Sequence, residues 1–251
     1  MSSSPYDHPD AVPATVVEVA DDVFAYVQSG GGWFVNNTGF LVGRRGVASI
    51  DSCSTERRTR DYLSAIGTVT RRPVRTLINT HHHGDHTFGN SLFAGATIVG
   101  HQRTRQEALE VGPPAYLPFW NPVEWGDIDV EAPFLTFSER VTLWVDELET
   151  EVRHIGCPAH TTNDSIVWVP EHRVLFSGDL VFNGATPFLL WGSVSGAMDA
   201  VEKLRELDAE TIVPGHGDVG GPDLIDRTAA YLAFVLDLAK AGHAAGVTPL
   251  G

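Results

Sequence analysis

Thr76-Leu77-Ile78-Asn79-Thr80-His81-His82-His83-Gly84-Asp85-His86 is the stretch on which the reading of this 251-residue chain turns. An apolar run leads into four imidazoles and one carboxylate, all between Thr80 and His86. Imidazole nitrogen and carboxylate oxygen are the donors that zinc and similar divalent metals take. In an extended segment, His81, His83 and Asp85 alternate onto one side. Gly84 lets the chain bend, which swings His86 toward a second metal beside Asp85. The alternative is a polar loop that happens to be rich in histidine, and such a loop needs no distant partners.

Three later places repeat one design. Val152 to Ile155 is followed by Gly156-Cys157-Pro158-Ala159-His160, Val174-Leu175-Phe176 by Ser177-Gly178-Asp179, and Thr211-Ile212-Val213 by Pro214-Gly215-His216. In each, an apolar strand ends, turn residues follow, and a metal-competent side chain appears. Strands ending on one rim would gather His81, His83, Asp85, His86, His160, Asp179 and His216 there, as ligands gather at the carboxyl ends of strands in α/β folds. These are five His and two Asp, enough for two metals that share one carboxylate. Asp51 ends another apolar run, Val47 to Ile50. It either braces the metal loop as a hydrogen-bond acceptor or caps the helix that follows.

Composition narrows the field. The formal net charge is −15. That field repels phosphate backbones and anionic lipid, which argues against nucleic-acid and membrane-surface roles. No apolar run has the length of a bilayer span. Met1 to Asp10 has neither a basic n-region nor an apolar h-region, so the expected location is cytoplasmic. Cys53 and Cys157 are expected to be two reduced thiols. Residues 1–13 read as a flexible tail and 14–251 as one domain.

Along that domain, Val16 to Val19 and Val23 to Val27 form a hairpin, and Thr38 to Val42 and Val47 to Ile50 form two more strands. Thr55 to Ile66 is helical. Ala96 to Val99 is a strand and His101 to Glu110 a helix. Val141 to Val145, Leu148 to Ile155, Ser165 to Val169 and Arg173 to Phe176 are strands. Gly196 to Leu207 is an amphipathic helix, Thr211 to Val213 a short strand, and Pro222 to Ala241 a terminal helix. Strand meanders followed by helices occur in both halves, which implies two β-rich halves packed face to face with helices outside. Trp33 and Phe34 follow a glycine run and either form a flap over a substrate or tuck into the core. The Pro- and aromatic-rich segment from Gly112 to Trp125, with Trp120, is either a binding wall or a packed cover.

With these residues in view, the chain resembles the metallo-β-lactamase-fold superfamily over nearly its whole length. The motif is His81-x-His83-x-Asp85-His86 with His160, Asp179 and His216. The resemblance implies an α+β fold, an αββα sandwich of two β-sheets with helices outside. It also implies that His81, His83 and His160 hold one metal, that Asp85, His86 and His216 hold the other, and that Asp179 bridges them. Asp51 matches the superfamily's first-motif aspartate.

Finer likenesses divide the branches. An Asp at 179, rather than Cys, is similar to the hydroxyacylglutathione-hydrolase and lactonase branches. Trp33 to Gly43, Asn79-Thr80-His81, Gly89-Asn90, Val123 to Asp127, Leu175 to Leu180 and Thr186-Pro187-Phe188 look like actinobacterial cyclases of aromatic polyketide synthesis. That branch implies a cyclase-thioesterase whose acyl substrate arrives on an acyl carrier protein. Trp33, Phe34, Trp120, Phe188 and Trp191 then become candidates for contact with a flat, apolar substrate. The expected cofactor is two Zn²⁺ sharing a water or hydroxide that attacks the acyl carbon, with Asp85 accepting a proton. The alternatives are a lactonase or other ester or amide hydrolase of the same fold, with a β-lactamase disfavoured by Asp179 in place of Cys, and a metal-binding partner of a synthase without turnover.

Overall fold

Val23-Phe24-Ala25-Tyr26-Val27 shows how the architecture is built. Successive strand residues face opposite sides, and all five are buried. Val23, Ala25 and Val27 join one hydrophobic cluster, whereas Phe24 and Tyr26 join another. A strand that is apolar on both faces lies in a layer covered on both sides.

The computed structural model describes residues 14–28, 34–114 and 123–248. Seven strands form the first sheet: β1 (Ala14–Ala20), β2 (Val23–Gln28), β3 (Thr38–Val42), β4 (Val47–Ile50), β5 (Val74–Asn79), β6 (Thr97–His101) and β7 (Leu135–Phe137), in that order across the sheet. Pairing is antiparallel from β1 to β4 and parallel from β4 to β7. The second sheet has the order β12 (Thr211–His216), β11 (Val174–Phe182), β10 (Ser165–Val169), β9 (Leu148–His154) and β8 (Arg140–Val145). Only β11 and β12 run parallel there.

Three apolar layers hold the sandwich together. Between the sheets, Val23, Leu41, Ile78 and Val99 meet Val152, Val167, Phe176 and Val213. Outside the first sheet, Phe40 and Leu77 pack on Tyr62 and Ile66 of α1 (Glu56–Val69). Outside the second, Trp168, Leu175 and Ile212 pack on Ala200 and Leu204 of α4 (Val194–Arg205) and on Leu224 and Leu232 of α5 (Asp223–Ala244). This is the expected two-sheet sandwich with helices outside. The sequence does not predict the short edge strand β7, which follows helix α3 (Gln102–Val111). The strand's three residues are too few to show a period-two pattern. Among the described residues, no helix is long and apolar enough to cross a membrane. Cys53 and Cys157 are free thiols.

Candidate metal centre

The histidine stretch does not run extended. β5 ends at Asn79, and Gly84–Thr87 forms a single helical turn, α2, with His83 at its N-cap. Side-chain alternation therefore stops at the strand end. The turn still brings His81, His83, Asp85 and His86 to the rim, while His82 faces away. Nδ1 of His82 lies 2.9 Å from Nδ2 of Asn163 and 3.4 Å from a Glu107 carboxylate oxygen.

The distant partners converge on that turn. His160 follows β9, and His216 ends β12. Asp179 differs from expectation, because β11 continues past it to Phe182. It sits inside the strand, at an irregular pairing beside Gly178, whose φ is +51°. A Cβ on Gly215 would lie 1.9 Å from Oδ1 of Asp179, so the glycine makes room for that carboxylate. The rim is tied across both sheets. The Asn37 N–H donates to the Gly215 carbonyl at 2.7 Å, and the Ser165 N–H donates to the Thr80 carbonyl at 2.8 Å.

Two groups of donors result. His81, His83, His160 and Asp179 form one and Asp85, His86 and His216 the other, with the donor atoms of each within 4.8 Å of one another. Nε2 of His160 is 2.8 Å from Nδ1 of His83 and 3.3 Å from Oδ2 of Asp179. Nε2 of His216 is 3.3 Å from Oδ2 of Asp85 and 3.2 Å from Oδ2 of Asp179. Oδ1 of Asp179 is 3.1 Å from Nε2 of His86. Asp179 thus touches both groups.

The residues fit a pair of divalent metals. Ligands about 2.0–2.2 Å from a tetrahedral zinc lie roughly 3.4 Å from each other, which these spacings bracket. Nε2 of His81 and Nε2 of His83 are buried with no hydrogen-bond partner. Buried polar atoms nearly always have a partner, so two such nitrogens in one donor group are atoms placed for a metal.

The charges point the same way. Burial, reinforced by neighbouring imidazoles, presses His81 and His83 well below their ordinary pKa. Burial also opposes charge on His86 and His216. The Asp179 and Asp85 carboxylates outweigh it, holding His86 well above its ordinary value and His216 up at about 10. Burial works against ionisation of Asp179 too, but His216, His86 and His160 keep it well below the usual carboxylate range. Without a metal, the desolvated Asp85 and Asp179 carboxylates are offset by proton uptake on His86 and His216; divalent cations held by the same atoms would supply that positive charge instead.

Asp51 does not cap the helix; Thr55 does, accepting from the Arg58 N–H. Instead the Asp51 carboxylate accepts from the N–H of Thr80 at 2.8 Å and its hydroxyl at 2.7 Å, and lies 2.8 Å from Nδ1 of His86. His160 Nδ1 is similarly held by the Phe188 carbonyl.

A cavity of about 530 Å³ opens onto the donors and is lined by Phe34, Phe182, Phe188 and Trp191. Phe34 therefore faces the site, and its ring also meets Phe88 at 6.0 Å and Trp125 at 5.8 Å. Trp33 and Trp120 lie outside the described residues. Three contributors were not foreseen. Phe182 stacks on His216 at 5.2 Å, Thr80 links Asp51 to the loop, and Gly215 admits Asp179. The apolar run Leu180-Val181-Phe182 carried the signal for the first, and the glycine beside His216 for the third.

Comparisons with known proteins agree with this geometry. The profile of the Metallo-beta-lactamase superfamily matches residues 31–216. A Metallo-beta-lactamase type 2 from Bacteroides fragilis is 25% identical, over 85% of this chain and 83% of its own. The 2,4-dinitroanisole O-demethylase subunit alpha of a Nocardioides species is 30% identical over 70% of this chain, and a Rhodospirillum rubrum hydroxyacylglutathione hydrolase 32% identical over 56%. The chain spans about half the length of those two, 51% and 46%. A solved metallo-beta-lactamase structure from Pontibacter korlensis superposes with a TM-score of 0.74 at 21% identity, over 88% of this chain and 99% of that one. With two sheets in this order, seven donors on their common rim and a family profile covering most of the sequence, the chain belongs to the metallo-beta-lactamase superfamily.

Proposed function

We propose that this protein is a zinc-dependent hydrolase of acyl thioesters. The observation that carries the reading is one continuous cavity, with the two donor groups at its floor and an aromatic wall beside them. Two zinc ions held by those seven residues would supply Lewis acidity toward an acyl carbonyl and water acidified to near neutral pH. Asp85 is buried, and although burial opposes its charge, His86 and His216 keep its pKa low. It is the group placed to take up a proton at the floor. Phe188 and Trp191 adjoin His83, with ring centroids 6.3 and 5.1 Å away. They would hold an acyl group beside the donors.

A finer form of the proposal is a cyclase-thioesterase acting on an aromatic polyketide chain presented by an acyl carrier protein. Its support is the likeness in residues 33–43, 79–81, 89–90, 123–127, 175–180 and 186–188, together with the aromatic wall. A second reading, a lactonase or β-lactam hydrolase, is favoured by the Bacteroides relative, which aligns over 83% of its own length.

A panel of thioester, lactone and β-lactam substrates tests these readings on the zinc-loaded protein. The highest kcat/KM for the thioester supports the first reading, and a higher value for lactone or lactam supports the second. Bound zinc without turnover of any activated acyl substrate contradicts both and leaves a metal-binding partner protein.

A further inference from the structure

The cavity over the donors is walled by Phe34, Phe182, Pro187, Phe188 and Trp191, with His83, Asp85, His160, Asp179 and His216 at its floor. No Lys or Arg lines it. The segments outside the described residues (1–13, 29–33, 115–122 and 249–251) contain no Lys or Arg in their sequence, so they cannot supply one either. Only 17 Lys and Arg stand against 32 Asp and Glu in the whole chain. Around the donor residues the lining therefore offers aromatic faces and no Lys or Arg.

A carboxylate on the far end of a substrate would leave water for that wall with nothing to pair with, which strongly disfavours it. An uncharged ring system would gain the same area without that cost. The wall is built to stay in place. Trp191 and Phe188 contact each other at 5.5 Å. The loop carrying them is fastened to the segment before His160 by the Ser193 N–H, which donates to the Ala159 carbonyl at 2.9 Å. A Cβ on Gly192 would lie 1.7 Å from that carbonyl oxygen, so the loop lies directly against the segment that carries a candidate ligand.

We propose that this cavity is a charge filter: it accepts an uncharged, flat aromatic acyl group and rejects one bearing a carboxylate at its far end. The reading of the site as an acyl hydrolase is assumed for the word acyl only; the filter itself is a property of binding. It separates this chain from enzymes whose substrates carry glutathione carboxylates. It agrees with the uncharged aromatic compound named for the Nocardioides relative.

The test uses two zinc-chelating ligands that cannot be hydrolysed, 2-naphthohydroxamic acid and 6-carboxy-2-naphthohydroxamic acid. They share a hydroxamate head, which outcompetes a carboxylate for the metals and fixes the orientation, and differ in one remote carboxylate. Each is titrated into the zinc-loaded full chain and followed by calorimetry. The ligand without the remote carboxylate is expected to bind about tenfold more tightly or better; equal or reversed affinity overturns the filter. Thr186 lines the cavity at an exposed position. Thr186→Arg should bring the carboxylate ligand to within about threefold of the other. An unchanged ratio in a variant that retains zinc contradicts the missing-cation argument, and Ala185→Lys repeats the test if Thr186→Arg does not fold. The matched naphthoyl thioesters form a separate arm. Turnover of neither, with the binding ratio intact, sinks the hydrolase reading and leaves the filter standing.

Discussion

Oδ2 of Asp51 lies 2.8 Å from Nδ1 of His86, at the end of a strand whose neighbour in the sheet carries the histidine loop. The carboxylate settles the tautomer. With the proton on Nδ1 facing Asp51, Nε2 is left to face Asp85 at 3.6 Å and Asp179 at 3.1 Å. Asp51→Asn removes the charge and offers an N–H in place of an acceptor. Such outer partners are typically worth 10- to 100-fold in metal affinity. The expected outcome is about tenfold weaker binding of the second zinc at near-normal thermal stability, read by competition with a chelator. Unchanged affinity would show that Asp51 only ties Thr80.

Gly215 is constrained by Asp179 rather than by its own backbone angles. Gly215→Ala places a methyl 1.9 Å from Oδ1 of Asp179. The carboxylate must move, and overpacking of this kind costs about 1–3 kcal/mol. The expected result is zinc content below two per chain together with a lower Tm. Gly67→Ala is the control. It lies in α1 with nothing within 4 Å of an added Cβ, and should stabilise by roughly 0.5–1 kcal/mol. Equal effects of the two substitutions would refute the steric argument.

That these seven side chains come together was legible because each is a distinctive residue type placed after an apolar run. The sandwich was legible from the same runs, as in Val23 to Val27, where two cores take alternate residues. The path of the histidine loop was not. Alternation predicts an extended His81-to-Asp85 segment, but a helical turn of four residues is too short to print a period on the sequence. Gly178 reads as the end of a strand, although Leu180-Val181-Phe182 continues it. Thr80 meets Asp51 and Gly215 meets Asp179 far away in the sequence, and no local pattern records those contacts.

His101 predicts an acid limb of stability. Its ring stacks on His154 at 4.0 Å. Nδ1 accepts from the Arg103 N–H at 3.3 Å, and Nε2–H donates to the Ser138 carbonyl at 3.1 Å, which fixes a neutral ring. Burial, with His154 beside it, pulls its pKa down to about 4 from the ordinary 6.5. Between those values the unfolded chain binds the proton and the folded one does not. The contribution is therefore complete above pH 6.5 and lost as pH falls to about 4. His101→Asn keeps a helix-capping side chain and cannot titrate. Urea midpoints should fall less steeply for the variant than for the parent across that window. Parallel curves would contradict the assignment.

Asp179 is proposed to join the two metals, since it lies 3.3 Å from His160 and 3.2 Å from His216. Asp179→Asn keeps one oxygen donor and loses the charge. The second zinc, beside Asp85, should leave at lower chelator concentration than the first, with turnover falling at least 10²-fold. Simultaneous loss of both ions with identical affinity would argue against a bridge.

The most direct test counts zinc per chain by native mass spectrometry on the zinc-loaded protein. Two ions are predicted for the parent, one for His216→Ala and at most one for His160→Ala. One ion or none in the parent, or two in both variants, would contradict the convergence of these seven residues on a single pair of metals.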